Sequence, residues 1–208
     1  MTSPRLVVAG LFAILVLTGA RTTSAQTAAD AARPSHTKAD TEFMQGMIAH
    51  HGQAIVMSDL VPSRTTRVPI RMLAERITVS QRDEIKLMRT WLLDRHEEAP
   101  GADRHQMHPG AGAMTLMPGM LTAEQLEQLG AATGPAFERL FLEGMIRHHE
   151  GAVTMVAKLF ASPGAGQEVD AFRFASDVDA DQRAEIRRMR TLLDATPNGS
   201  PNLYRELP

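Results

Sequence analysis

Two adjacent histidines occur twice in this chain, as His50-His51 and as His148-His149. Met47 stands three residues before His50 and Met57 seven after it, and Met145 and Met155 hold the same places about His148. Imidazole and thioether together make a soft donor set that suits Cu(I), whereas Mg²⁺ or Ca²⁺ would call for carboxylates and carbonyls. The whole chain carries 13 Met and 8 His but 0 Cys. Disulfide, zinc-finger, iron–sulfur and thiol-nucleophile chemistry are therefore closed to it. In an oxidising compartment thioethers also avoid the disulfide formation that free thiols undergo. Each of these residues has a plainer reading as well. A core histidine can be a neutral imidazole hydrogen-bonded across a bundle, here to Gln81, Glu84, Gln182 or Glu185, and methionine at helical spacing is a good core filler.

The His pairs sit inside a longer repeat. Phe43 to His51 and Phe141 to His149 share six of nine residues at an offset of 98, and Gln81 to Arg89 pairs with Gln182 to Arg190 at an offset of 101. The chain is thus a tandem duplication of a two-part unit. Phe43, Met47, His50, Ala54, Met57 and Val61 step by 4, 3, 4, 3 and 4, the spacing of an inward seam on a bundle helix, and the second copy repeats it. His50 and His148 lie on that seam. His51 and His149 point about 100° further round, toward the adjacent helix or the rim. The second part of each unit steps likewise through Ile85, Met88 and Leu92, and through Ile186, Met189 and Leu193.

These patterns predict helices over Thr37–Leu60, Pro69–Arg95, Pro135–Phe160 and Gln167–Leu193, with connections of about eight residues within each hairpin. Thr37 or Asp40 can cap the first helix, and Pro62 is expected just past its end. A Gly- and Pro-rich crossover separates the copies, with a short helix capped by Thr122 after it. No strand signal occurs. The expected fold is all-α, a ferritin-like four-helix bundle of two tandem αα-hairpins joined by a long crossover. By residue number this gives a domain over 37–195, made of repeat 1 (37–96), the crossover (97–121) and repeat 2 (122–195), then a tail over 196–208.

Residues 1–25 read as a signal peptide: Arg5, a 15-residue apolar run from Leu6 to Ala20, then small residues up to Ala25. A spanning helix needs roughly 20 residues, which argues against an uncleaved anchor. A flexible leader (26–36) follows, and the mature protein is expected to be periplasmic or secreted. A formal charge of −2 and 4% aromatic residues give no pull toward nucleic acid or anionic membrane.

The repeated run from Asp40 through Phe43, Met47, His50-His51, Ala54 and Met57, its second copy, and the Met-Pro-Gly-Met-Leu-Thr stretch from Met117 resemble the DUF305 family. Glu138 stands in the second copy where the first has Asp40. The resemblance covers roughly residues 38–193. It implies a ferritin-like fold, export, and a link to copper, because some members bind copper in the periplasm. The resulting expectation is an exported copper-binding protein, with Cu(I) favoured and the metal ion as its partner, which sequesters or carries copper through Met/His sites. His50, His51, His148, His149, Met47, Met57, Met145 and Met155 are the candidate ligands. Glu84 and Glu185 are candidates to fix the tautomers of His50 and His148, with Gln81 and Gln182 beside them. A second candidate cluster is His105, Met107, His108, Met114, Met117 and Met120 in the crossover, where the last three methionines could instead cover one end of the bundle. Two other readings stand beside this one: a metal-free structural or interaction bundle of the envelope, and a di-metal oxidase. The latter lacks its usual ligands, since no Glu-x-x-His occurs. No Gly-x-Ser-x-Gly, phosphate loop or dinucleotide fingerprint marks an enzyme.

Overall fold

The computed structural model describes residues 35–102 and 116–196. The signal peptide, most of the leader, nearly all of the tail, and His105, Met107, His108 and Met114 lie outside the described residues. Five helices and no strand occur among the described residues: α1 (Lys38–Arg64), α2 (Val68–Asp94), α3 (Ala123–Ala131), α4 (Gly134–Ala161) and α5 (Val169–Asp194). None of them is long and apolar enough to cross a membrane.

Local chemistry fixes the starts. The Thr37 hydroxyl accepts from the Asp40 amide at 3.2 Å, and the Asp40 carboxylate accepts from the Thr37 amide at 2.7 Å. This closes a capping box, so both residues proposed as caps take part. Thr122 and Gln125 form a second box at α3. Pro69 and Pro135 lie in the first turns of α2 and α4, where a missing N–H costs nothing.

Two expectations are corrected at the hairpin connections. Pro62 lies inside α1, which runs on to Arg64. The ring forfeits one hydrogen bond in the last turn, two residues before the helix ends. The first connection spans only 65–67 rather than about eight residues, while the second, 162–168, is close to the expected length. Asp40 and Glu138, equivalent in the two copies, each tie the opposite copy's connection. Asp40 accepts from the Gly166 amide at 2.7 Å, and Glu138 accepts from the Thr65 hydroxyl at 2.5 Å and from Arg67 at 3.2 Å.

Within each hairpin the helices pack along their length, α1 on α2 and α4 on α5, and α1 meets α4 between the hairpins. The result is a four-helix bundle whose apolar interior is divided in two. One cluster holds Ala54, Met57, Val61, Ile70, Leu73, Ile77, Phe137, Phe141, Met145 and Ile186. The other holds Phe43, Met47, Ile48, Ile85, Met88, Leu92, Ala152, Val156, Ala175 and Val178. On every long helix the break falls at the same level. His50 and His51 on α1, Gln81 and Glu84 on α2, His148 and His149 on α4, and Gln182 and Glu185 on α5 fill that level with polar groups.

Candidate metal centre

Four histidines occupy the middle of the bundle, each with 0% of its surface exposed. The seam alignment brings His50 and His148 together: their ring centroids are 3.8 Å apart at an interplanar angle of 38°. His51 and His149 turn toward the hairpin partners rather than the rim. His51 Nε2 donates to the Glu84 carboxylate at 2.5 Å, and His149 Nε2 donates to Glu185 at 2.7 Å. This corrects the expected pairing, since Glu84 and Glu185 serve the outer histidines and not His50 and His148. The short α1–α2 and α4–α5 hairpins aim the residue after the seam at the neighbouring helix, which seam spacing alone does not specify.

Burial sets the protonation of the centre. His50 is pushed down to about 3, first by burial and then by the charges that His51 and His149 can carry. His148 is driven well below its ordinary 6.5 by burial and by the three neighbouring imidazoles. Both rings are neutral at physiological pH. Burial works to raise the Glu84 carboxyl, but hydrogen bonds from His51 and Ser80 outweigh it and hold Glu84 below its ordinary value. Asp181, on α5, is raised by desolvation and by the nearby charges of Glu84 and Glu185.

The tautomers follow from the partners. His50 Nε2 lies 2.9 Å from the Pro118 carbonyl, which can only accept, so this nitrogen carries the proton. His51 and His149 likewise keep their proton on Nε2. The Nδ1 atoms of His50, His51 and His149 are buried and without a hydrogen-bond partner. Neither nitrogen of His148 has a partner of good geometry, and both polar atoms of Gln81 are also orphaned. An unpaired buried polar group costs about 1–3 kcal/mol, and a leucine in the same place would contribute about 2 kcal/mol by burial. Stability alone therefore gives no reason for this layer. Among the described residues, no three His, Asp or Glu side chains converge closely enough to hold an ion by themselves.

A strap closes the layer on one side. Met117-Pro118-Gly119-Met120 forms a turn, with the Met120 amide donating to the Met117 carbonyl at 3.2 Å and Gly119 at φ 77°. Gln53 grips the following residue twice: its Nε2 donates to the Leu121 carbonyl at 2.9 Å, and its Oε1 accepts from the Leu121 amide at 2.7 Å. On α4 the strap rests against Gly151, where a Cβ would lie 1.9 Å from the Pro118 oxygen. Met117 and Met120 therefore cross mid-bundle at the level of His50, instead of covering an end. Pro118, Gln53 and Gly151 were not among the candidate residues. One signal could have found them: Gln53 and Gly151 are equivalent positions that differ in kind between the copies, as a single strap meeting both halves requires.

The methionines divide around the layer. Met57 and Met145 are buried in one apolar cluster, Met47 is buried in the other, and Met155 is half-buried against the latter. Gln81 and Gln182 are buried within the layer.

The model of the family described as "Domain of unknown function (DUF305)" matches residues 40–193. This chain belongs to the DUF305 family. The DUF305 fragment from Deinococcus radiodurans is similar in structure with a TM-score of 0.66 and 28% identity, over 78% of this chain and 99% of that one. A DUF305 protein of Streptomyces coelicolor, named as secreted, gives a TM-score of 0.63 at 32% identity over 76% of this chain and 93% of its own. CopM in its Cu(II)-bound form gives 0.56 at 29% identity over 75% and 96%, and it is also solved in a Cu(I)-bound form. A shorter match is to uncharacterized protein L153 of Acanthamoeba polyphaga mimivirus, 41% identical over 56 residues, which are 27% of this chain and 37% of that protein. The span matched to DUF305 includes the whole polar layer and the strap.

Proposed function

We propose that this DUF305 protein is an exported binder of soft metal ions, copper above all, which sequesters or carries the ion through histidine and methionine donors. The observation that carries the reading is the buried set of unpartnered imidazole nitrogens on His50, His51 and His149, with the His148 ring tilted against that of His50. Imidazole nitrogens presented in this way are metal ligands in waiting. The carboxylates of Glu84 and Glu185 orient the rings of His51 and His149, as such partners do for metal-bound histidines. Met47, Met57, Met145 and Met155 border the layer with thioether donors. When bound, copper would supply the missing partner for these nitrogens. Cu(I) suits neutral imidazole and thioether donors, and the two carboxylates balance its charge. CopM, similar in fold and sequence, is known with both copper oxidation states bound, which supports copper as the metal. The N-terminal residues 1–25 and the relative named as secreted support an envelope or extracellular location.

The absence, among the described residues, of three converging His, Asp or Glu groups favours the competing reading, a metal-free structural bundle. Challenge with Cu(I), Cu(II), Zn(II) and Fe(II), followed by desalting and metal analysis, separates the two. Copper retained in stoichiometric amount, with Zn(II) lost, is the expected result. Retention of no metal leaves the structural bundle, and retention of iron alone revives a di-metal oxidase.

A further inference from the structure

The outward face of α2 is apolar where the matching face of its duplicate is polar. Val68, Met72, Val79, Leu87 and Leu93 are each between 57 and 64% exposed. At about 100° per residue, Val68, Met72, Val79 and Leu93 fall within about 60° of one another, with Leu87 beside them. The stripe they form lies opposite the buried Ile70, Ile77 and Met88. The fold does not require it. At the offset of 101 that relates the two copies, Met72, Val79, Leu87 and Leu93 become Arg173, Ala180, Arg188 and Asp194 on α5, all exposed, and only Val68 keeps its character, as Val169. The inward Gln81, Ile85 and Met88 meanwhile recur as Gln182, Ile186 and Met189.

The charges along the stripe specify what covers it. About a centre at residues 79–80, Arg76 and Asp83 stand at mirrored positions, as do Glu75 and Lys86, Met72 and Leu87, and Val68 and Leu93. A second α2 laid antiparallel on the first, with a twofold axis beside Val79, sets apolar on apolar and each charge on its opposite, twice over. A parallel pair would set Arg76 on Arg76 and Asp83 on Asp83. The side chains of Glu75 and Arg76 have no partner among the described residues, and Asp83 and Lys86 meet each other at 2.8 Å on the open surface. We propose that the outward face of α2 is a dimer interface, on which a second copy of this chain packs in antiparallel register. The apolar stripe supplies the attraction. The exposed ion pairs, each weak in water, select the antiparallel over the parallel arrangement. Two 27-residue helices make a narrow contact about 40 Å long, so the dimer is of the small, reversible kind. This interface is independent of the copper reading.

Sedimentation equilibrium of the chain from Gln26, over a concentration series at low salt, tests it. The wild type should show a monomer–dimer equilibrium. Val79→Glu brings two carboxylates together at the axis and should raise the dissociation constant at least about tenfold, with helicity by circular dichroism unchanged. Arg76→Asp and Asp83→Arg should each weaken the dimer alone, and mixing the two variants should restore it, a rescue that misfolding cannot produce. Orientation is read by disulfide trapping in a chain that has 0 Cys of its own. Met72→Cys mixed with Leu87→Cys should give the mixed disulfide in preference to either self-linked product. A wild type that stays monomeric to millimolar concentration, or that dimerises equally well with Val79→Glu, overturns the proposal. So does a mixture of the charge variants that is no tighter than its parts, or self-linking that outruns the mixed disulfide.

Discussion

Acidifying the metal-free protein from pH 7 to pH 5 should cost about 2 kcal/mol of stability through His50 alone, and His148 adds to the loss in the same direction. Both imidazoles start from 6.5 in the unfolded chain, and burial holds them far lower in the native state, at about 3 for His50. At pH 5 the unfolded chain has bound a proton at each ring and the native chain has not. Proton uptake thus favours unfolding, and stability falls as pH drops through 6.5 and continues to fall until the native rings titrate. At 1.36 kcal/mol per unit of pKa difference, the interval from pH 7 to 5 costs about 2 kcal/mol for His50. Against a total of about 5–15 kcal/mol, the effect is large. Urea denaturation at both pH values, in the presence of a chelator, measures it. His50→Leu/His148→Leu removes two desolvated polar groups, so it should match or exceed the wild type at pH 7 and lose at least about 2 kcal/mol less on acidification. An equal loss in both proteins would show that the rings are not held neutral in the interior.

Glu84→Gln should keep the fold but lower copper affinity by about 10–100-fold in a chelator competition, because His51 loses its orienting charge. Gly151→Ala drives a Cβ into the Pro118 oxygen and should cost about 3 kcal/mol in thermal unfolding, with faster proteolysis at the strap. Gly130→Ala, in open space on α3, serves as its control and should be neutral or stabilising by up to about 1 kcal/mol. N-terminal sequencing of protein from the cell envelope should begin at Gln26, and recovery of intact Arg5 and Leu6 in a membrane fraction would contradict export by cleavage.

The four long helices, their caps and the meeting of His50 with His148 were legible because a 4-3 seam fixes one direction around each helix. A repeated seam fixes it twice. The partners of His51 and His149 were not legible on the same basis. A residue 100° off the seam meets whatever its hairpin neighbour presents, and that depends on how the hairpin connections set the partner helix. Pro62 misled because proline marks helix ends in isolation, whereas here it sits in the last turn of α1, which ends two residues later. The strap is the clearest case of a feature beyond local pattern. Its turn chemistry is local, but its place over His50 is set by Gln53 and Gly151, nearly a hundred residues apart in the chain and brought together only when α1 packs on α4.

The central claim is that the imidazoles of the polar layer hold copper. The most direct measurement is the copper-to-protein ratio, after Cu(I) loading and chelator wash, of the wild type and of His50→Leu/His148→Leu, each shown to be helical by circular dichroism. Stoichiometric copper in the wild type and its loss from the variant are the expected results. A variant that retains copper at wild-type ratio and affinity would contradict it and move the site to the methionines and histidines of the crossover.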